Sequence, residues 1–166
     1  MRPVPTCIVL ALLISPLPAS AGELPDEIFA PGEIPVANVH AVGAQVYECK
    51  VGADGHLVWQ FREPIATLFI AGKTVGRHYA GPSWEMTDGS AVSGKVAGRA
   101  PAAKPSDIPL LKLEVAARRG QGQLADATTI LRLNTRGGAA DGMCDSPGAF
   151  LSVPYTADYA FYRKRD

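Results

Sequence analysis

The chain has 166 residues, with sixteen Lys and Arg against sixteen Asp and Glu, and three cysteines. That is the length of one ordinary domain. A formal charge of zero removes the electrostatic case for a nucleic-acid partner, which calls for a basic face.

The N-terminus reads as an address label. Arg2 gives a positive start, Cys7 to Ile14 an apolar core, Pro16 and Pro18 a break, and Ala19-Ser20-Ala21 a small-x-small cleavage pattern. Residues 1–21 are therefore expected to be a signal peptide, cleaved near Ala21-Gly22, and the protein to be exported to the periplasm or beyond the cell. The apolar run falls short of the roughly 20 residues that span a bilayer, so no transmembrane segment is expected. Arg163-Lys164-Arg165 reads as a solvated tail. Loss of Cys7 with the leader leaves Cys49 and Cys144 as one pair in an oxidising compartment. A Cys-x-x-Cys redox motif is absent, so the pair is expected to form a structural disulfide, worth about 4–5 kcal/mol on the chain-entropy model.

Residues 22–38 carry Pro25, Pro31 and Pro35, each without a backbone donor, and read as an extended, Pro-rich entry segment. Residues 39–166 read as a single β-domain. Over 44–51, Tyr47, Cys49 and Val51 alternate with Glu48 and Lys50, the period of a half-buried strand. Gly52-Ala53-Asp54-Gly55 is a turn signal, after which Leu57, Trp59 and Phe61 alternate with Val58, Gln60 and Arg62, making a hairpin. Pro64 is expected to interrupt before a second apolar run, Ile65 to Ile70. Gly76, Gly81 and Pro82 are expected to break regular structure around His78 and Tyr79. Trp84 to Thr87 resumes the alternation, and Asp88-Gly89 turns the chain into 91–96. A three-residue loop pairing Met86 with Val92 is preferred to a two-residue loop pairing Glu85 with Val92, because a one-residue slip would swap the faces.

Further on, 97–109 reads as a surface connection and 116–126 as a mobile loop, with Leu111, Leu113 and Val115 on a strand between them. Over 128–134, Thr129, Leu131 and Leu133 fall on one face and Ile130, Arg132 and Asn134 on the other. In the last strand, Tyr155, Tyr159 and Phe161 share a face. No window beyond the leader has a helical period. The fold class is all-β: an antiparallel β-sandwich or small β-barrel with long loops and one disulfide.

Several of these residues form a pattern: Gln45-x-Tyr47-x-Cys49, Gly76-x-His78-x-x-Gly81-Pro82-x-Trp84, Asp88-Gly89-Ser90, Arg132-x-Asn134-Thr135-x-Gly137-Gly138, Cys144, and Tyr155-x-Ala157-Asp158-Tyr159-x-Phe161-Tyr162. Taken in order over most of 24–162, it resembles an exported family of bacteria and fungi catalogued as domain of unknown function 3455. Usual members carry an aromatic-rich strand where this chain has Thr128-Thr129-Ile130-Leu131. The resemblance implies a secreted single domain with this cysteine pair. It implies no established chemistry, so it assigns no catalytic residue.

His78, Tyr79, Trp84, Glu85 and Asp88 form the one dense polar-aromatic cluster. Acid–base chemistry would use His78 with a carboxylate to orient it. Strand spacing opposes this, because Trp84 and Met86 share one face while Glu85 takes the other; His78 and Trp84 packed at a strand junction is the preferred reading. His40 and His56 have no ligand spacing to His78, so no metal is expected, and no cofactor. G-x-S-x-G, a Walker loop and H-E-x-x-H are missing. Arg132, Asn134 and Asp158 read as a structural polar set, in which an Arg132–Asp158 pair would tie the two late strands. The leading functional expectation is an exported domain that binds a small ligand, glycan or envelope partner without catalysis. One alternative is a small secreted hydrolase or isomerase using His78 with Glu85 or Asp88. A second is a lysozyme-inhibitor-like protein, by analogy of architecture alone. The sequence leaves the ligand and the oligomeric state open.

Overall fold

The structure is a computed structural model, described for residues 24–165; the expected signal peptide lies outside the described residues. Eight strands follow one another: β1 (Ile34–Val51), β2 (Leu57–Ile70), β3 (Lys73–Tyr79), β4 (Ser83–Met86), β5 (Ala91–Ala100), β6 (Leu110–Arg119), β7 (Thr129–Gly137) and β8 (Phe150–Arg163). Each pairs antiparallel with its neighbour in sequence, and β1 pairs with β8 to close a barrel. The all-β expectation holds, and of the two architectures it allowed the chain adopts the barrel. Closure leaves no open sheet edge.

Period-two patterning sets what faces inward. Val39 and Ala41 of β1, Leu68 of β2, Trp84 and Met86 of β4, Leu113 of β6, Ile130 of β7, and Tyr159 and Phe161 of β8 are all buried in one core. Small residues on β1, β2 and β8 (Ala41, Ala66, Ala157) leave room for the aromatic side chains, and Trp84 meets Tyr159 and Phe161 edge-on at 5.1 and 6.0 Å between centroids. The β1 and β2 backbones run so close at Gly43 that a Cβ there would overlap the Ile65 carbonyl and Ala66. A glycine is required at that point.

Five local expectations are corrected. Pro64 does not interrupt β2. It lies within the strand opposite Gln45, next to the β1 bulge between Val46 and Tyr47, and β3 pairs only with Ala66 to Ile70 of β2. Pro64 thus has one strand neighbour, so its missing N–H leaves no ladder partner unmet. His78 and Tyr79 are likewise inside β3, where Gly76 lets the Glu85 carbonyl approach. The β4–β5 register is Trp84 opposite Val92 and Glu85 opposite Ala91, two residues away from the Met86–Val92 pairing. The faces are unchanged, since a shift of two preserves the alternation. The extra length is absorbed by a turn in which Asp88 binds the Ser90 N–H and hydroxyl.

The supposed mobile loop is the fourth. Its first part is the end of β6, and its remainder folds under the barrel. Leu124 and Ala127 are fully buried, and Asp88 and Ser90 accept the Gln123 and Leu124 N–H groups at 2.7 and 3.2 Å. β5 also runs on to Ala100, so the surface connection is shorter than 97–109.

The entry segment holds a 3-10 turn at Asp26–Ile28 with Ile28 fully buried, and β1 has already begun at Ile34. Gly98 of β5 gives room to the Glu27 carbonyl, and Lys112 of β6 donates to the Phe29 carbonyl at 2.8 Å. The segment therefore lies on the outer face of β5 and β6. Cys49 on β1 is bonded to Cys144 in the β7–β8 loop. That loop is sewn onto the first hairpin, with Cys144 N–H donating to the Leu57 carbonyl and Trp59 N–H to that of Gly142. Among the described residues no helix is long and apolar enough to cross a membrane.

Candidate functional site: the barrel cavity

The two ends of the barrel differ. Met86, Val92 and Leu124 belong to the apolar core at the end carrying the β4–β5 turn and the β6–β7 loop. The other end, at the β3–β4 turn and β5–β6 loop, opens into a cavity of about 460 Å³. That volume is in the range of small-molecule sites, roughly 300–1,000 Å³. Trp84, Tyr159, Leu111 and Leu113 form apolar wall; Gln45, His78 and Arg132 supply polar groups; Arg62 and Arg99 also line it. No aspartate or glutamate among the described residues does so.

The structure splits the sequence cluster in two. His78 and Trp84 face inward, each almost wholly buried, and their rings stack with centroids 4.4 Å apart and planes 11° from parallel. His78 Nδ1 lies 2.8 Å from the Ser83 carbonyl oxygen. That oxygen can only accept, so Nδ1 carries the proton and Nε2 is left as an acceptor. Burial pushes the imidazole pKa down to about 3, and the ring is neutral at physiological pH.

Tyr79 and Glu85 lie on the outer surface. Glu85 Oε2 accepts from Arg77 and Arg119 at 3.0 Å each and from the Tyr79 hydroxyl at 3.2 Å. The bond from Arg77 foremost holds the carboxyl below the usual range. Asp88 is at the closed end of the barrel, held below its usual range chiefly by the Ser90 hydroxyl. Both carboxylates are thus committed to other partners, and neither forms a hydrogen bond or ion pair with His78.

The second polar set also divides. Asp158 binds His40 Nδ1 at 2.8 Å and the Asn134 amide nitrogen at 2.7 Å, joining β1, β7 and β8 on the outside. Arg132 does not pair with Asp158. It stands opposite Tyr159 and faces inward, with its Nε donating to the Pro109 carbonyl at 3.0 Å. Arg132 and Tyr159 are on the inward parity and Asp158 on the outward one; beyond Leu133 a register shift follows, where Asn134 adopts a positive φ of 50°. This irregularity turns Asn134 outward beside Asp158 while Arg132 keeps the inward parity of Ile130.

Two residues of the lining also carry a buried donor without a partner. Among the buried polar atoms, Gln45 Nε2 and Trp84 Nε1 have no hydrogen-bond partner among the described residues, and both residues line the cavity. The Gln45 amide lies near the Tyr155 hydroxyl without a hydrogen bond of ordinary geometry. Tyr155 and Tyr159 approach each other through their hydroxyls at 3.5 Å, and burial raises both pKa values. Gln45, Leu111 and Leu113 were not among the candidate site residues read from the sequence. The available signal was Gln45 itself, a polar side chain at the same strand parity as Tyr47 and Cys49.

Among the described residues no group of three or more His, Cys, Asp or Glu side chains is close enough to hold a metal ion. The architecture presents a half-filled cup with an aromatic floor and donor-rich walls.

Comparison with known proteins gives one result that bears on this cup. No curated protein and no solved structure matches the chain. A family model described as "Protein of unknown function (DUF3455)" matches residues 30–163, from just before β1 to the end of β8. The chain belongs to that family.

Proposed function

We propose that this protein is an exported binding protein that uses the open half of its barrel to hold one small organic ligand, without catalysis. The observation that carries this is the cavity of about 460 Å³, whose apolar wall is broken by the polar side chains of Gln45, His78 and Arg132. Eight-stranded barrels have an interior of the size that holds one small molecule. The neutral, hydrogen-bonded His78 supports binding over hydrolysis, since a group with a pKa of about 3 is a poor base at neutral pH. The N-terminal sequence pattern supports export.

Fluorescence tests this reading. The chain has two tryptophans, and a Trp59→Phe background leaves Trp84 in the cavity wall as the reporter. The oxidised protein is titrated with octanoic acid, octanamide, 1-naphthaleneacetic acid and its amide, and a set of short oligosaccharides. Saturable change with one site per chain is expected from at least one small organic ligand. A folded protein whose Trp84 emission is indifferent to all of them would overturn the proposal.

A further inference from the structure

Resting on the binding reading above, we infer that the ligand is an organic acid, its carboxylate received by Arg132 and its apolar body lying against Trp84 and the leucines of β6. Arg132, in the cavity lining, has donors only, so the ligand group that meets it must offer acceptors.

Charge points the same way. Among the described residues no ion pair neutralises Arg132, and the cavity wall holds no aspartate or glutamate. Arg62 and Arg99 add positive charge to the same lining. Arg62 is partly committed, at 3.4 Å from Glu63 and with its guanidinium over the Phe150 ring, so Arg132 is the anchor. The bond from its Nε to the Pro109 carbonyl fixes the plane of the guanidinium. The guanidinium also meets the Tyr159 hydroxyl, and the Nη hydrogens beyond these two contacts can face the two oxygens of a carboxylate in a fork. His78 contributes no competing positive charge. Its Nε2 is an acceptor, suited to a hydroxyl or amide N–H elsewhere on the ligand.

Matched acid and amide pairs test this. Octanoic acid is compared with octanamide, and 1-naphthaleneacetic acid with 1-naphthaleneacetamide, by calorimetry at pH 7.5. The acid of at least one pair is expected to bind about 10- to 100-fold more tightly than its amide, the range of a charge-assisted, bidentate contact. Arg132→Gln is expected to bring the acid-to-amide ratio close to one. Arg132→Lys, which keeps the charge but loses the fork, should give an intermediate ratio. Arg77→Gln, on the outer surface, should leave the ratio as in the wild type. Equal affinities for acid and amide in the wild-type protein would overturn the organic-acid assignment while leaving ligand binding intact. Failure of every acid and amide to bind would overturn the assignment together with the reading on which it rests. The wild-type comparison decides the matter even where an Arg132 variant does not fold.

Discussion

His78 and Trp84 are direct partners across the β3–β4 ladder, and inside the barrel their rings lie one on the other at 4.4 Å. Cross-strand neighbours on one face are close enough for such contact. Here the pair forms a flat aromatic floor from which the cavity rises. The stack also fixes the state of the histidine, because it removes the ring from water and leaves the Ser83 carbonyl as its hydrogen-bond partner.

That burial sets a pH dependence. The folded pKa is about 3 against roughly 6.5 unfolded, so between these values the unfolded chain binds the extra proton. Stability from this group is present above about pH 6.5 and is lost as pH falls toward 3, at about 1.4 kcal/mol per pH unit. The groups around the ring are Ser83, Trp84, Tyr159 and Arg132, and no carboxylate or second histidine is among them. Urea unfolding at pH 7.5 and pH 5.0 should show wild type losing about 2 kcal/mol relative to His78→Gln. Parallel losses in the two proteins would contradict the buried neutral ring.

Asp88 should act as a clip rather than as a catalyst. It accepts from the Ser90 N–H, the Ser90 hydroxyl and the Gln123 N–H, and Ser90 is fully buried. Asp88→Ala is expected to destabilise by about 1–3 kcal/mol. Amide hydrogen exchange at Gln123 and Leu124 should accelerate in the same variant. Unchanged exchange there would show that the loop is held by Leu124 packing alone.

The disulfide should stabilise through the length of chain it closes. Cys49 and Cys144 are 95 residues apart, and on the chain-entropy model reduction costs about 4–5 kcal/mol. Denaturation of the oxidised protein against the Cys49→Ser, Cys144→Ser double variant measures this. Because the bridge pins the β7–β8 loop, and Tyr47 at the cavity also donates to the Gly138 carbonyl at 2.6 Å, the double variant should also show weaker ligand binding.

Much of this arrangement was legible in residue order. Alternation identified the strands around Tyr47, Trp84, Leu113 and Tyr159, and it put Trp84 and Glu85 on opposite faces, which is where the structure has them. The misreadings have a common cause: they depend on partners distant in sequence. Pro64 is acceptable in β2 only because β3 starts its pairing farther along, at Ala66. Residues 120–126 read as mobile because nothing local shows that Asp88 and Ser90 will bind the Gln123 and Leu124 amides. The displaced register at Asn134 is equally silent in the sequence, and it is what brings Asn134 to Asp158, which His40 already meets across the β1–β8 ladder. Local periodicity determines strands; the site is made by the closure that brings β1, β4 and β7 around one space.

The account turns on whether that space takes a ligand. The most direct measurement follows the side-chain resonances of Trp84 Nε1–H and Gln45 Nε2–H₂ in the ¹⁵N-labelled, oxidised protein during titration with 1-naphthaleneacetic acid. Saturable shifts at both groups, sharing one dissociation constant and leaving the outer-face Arg77 and Tyr79 amides in place, are the predicted result. A titration in which these two resonances stay fixed while outer-face amides move would contradict a binding site inside the barrel.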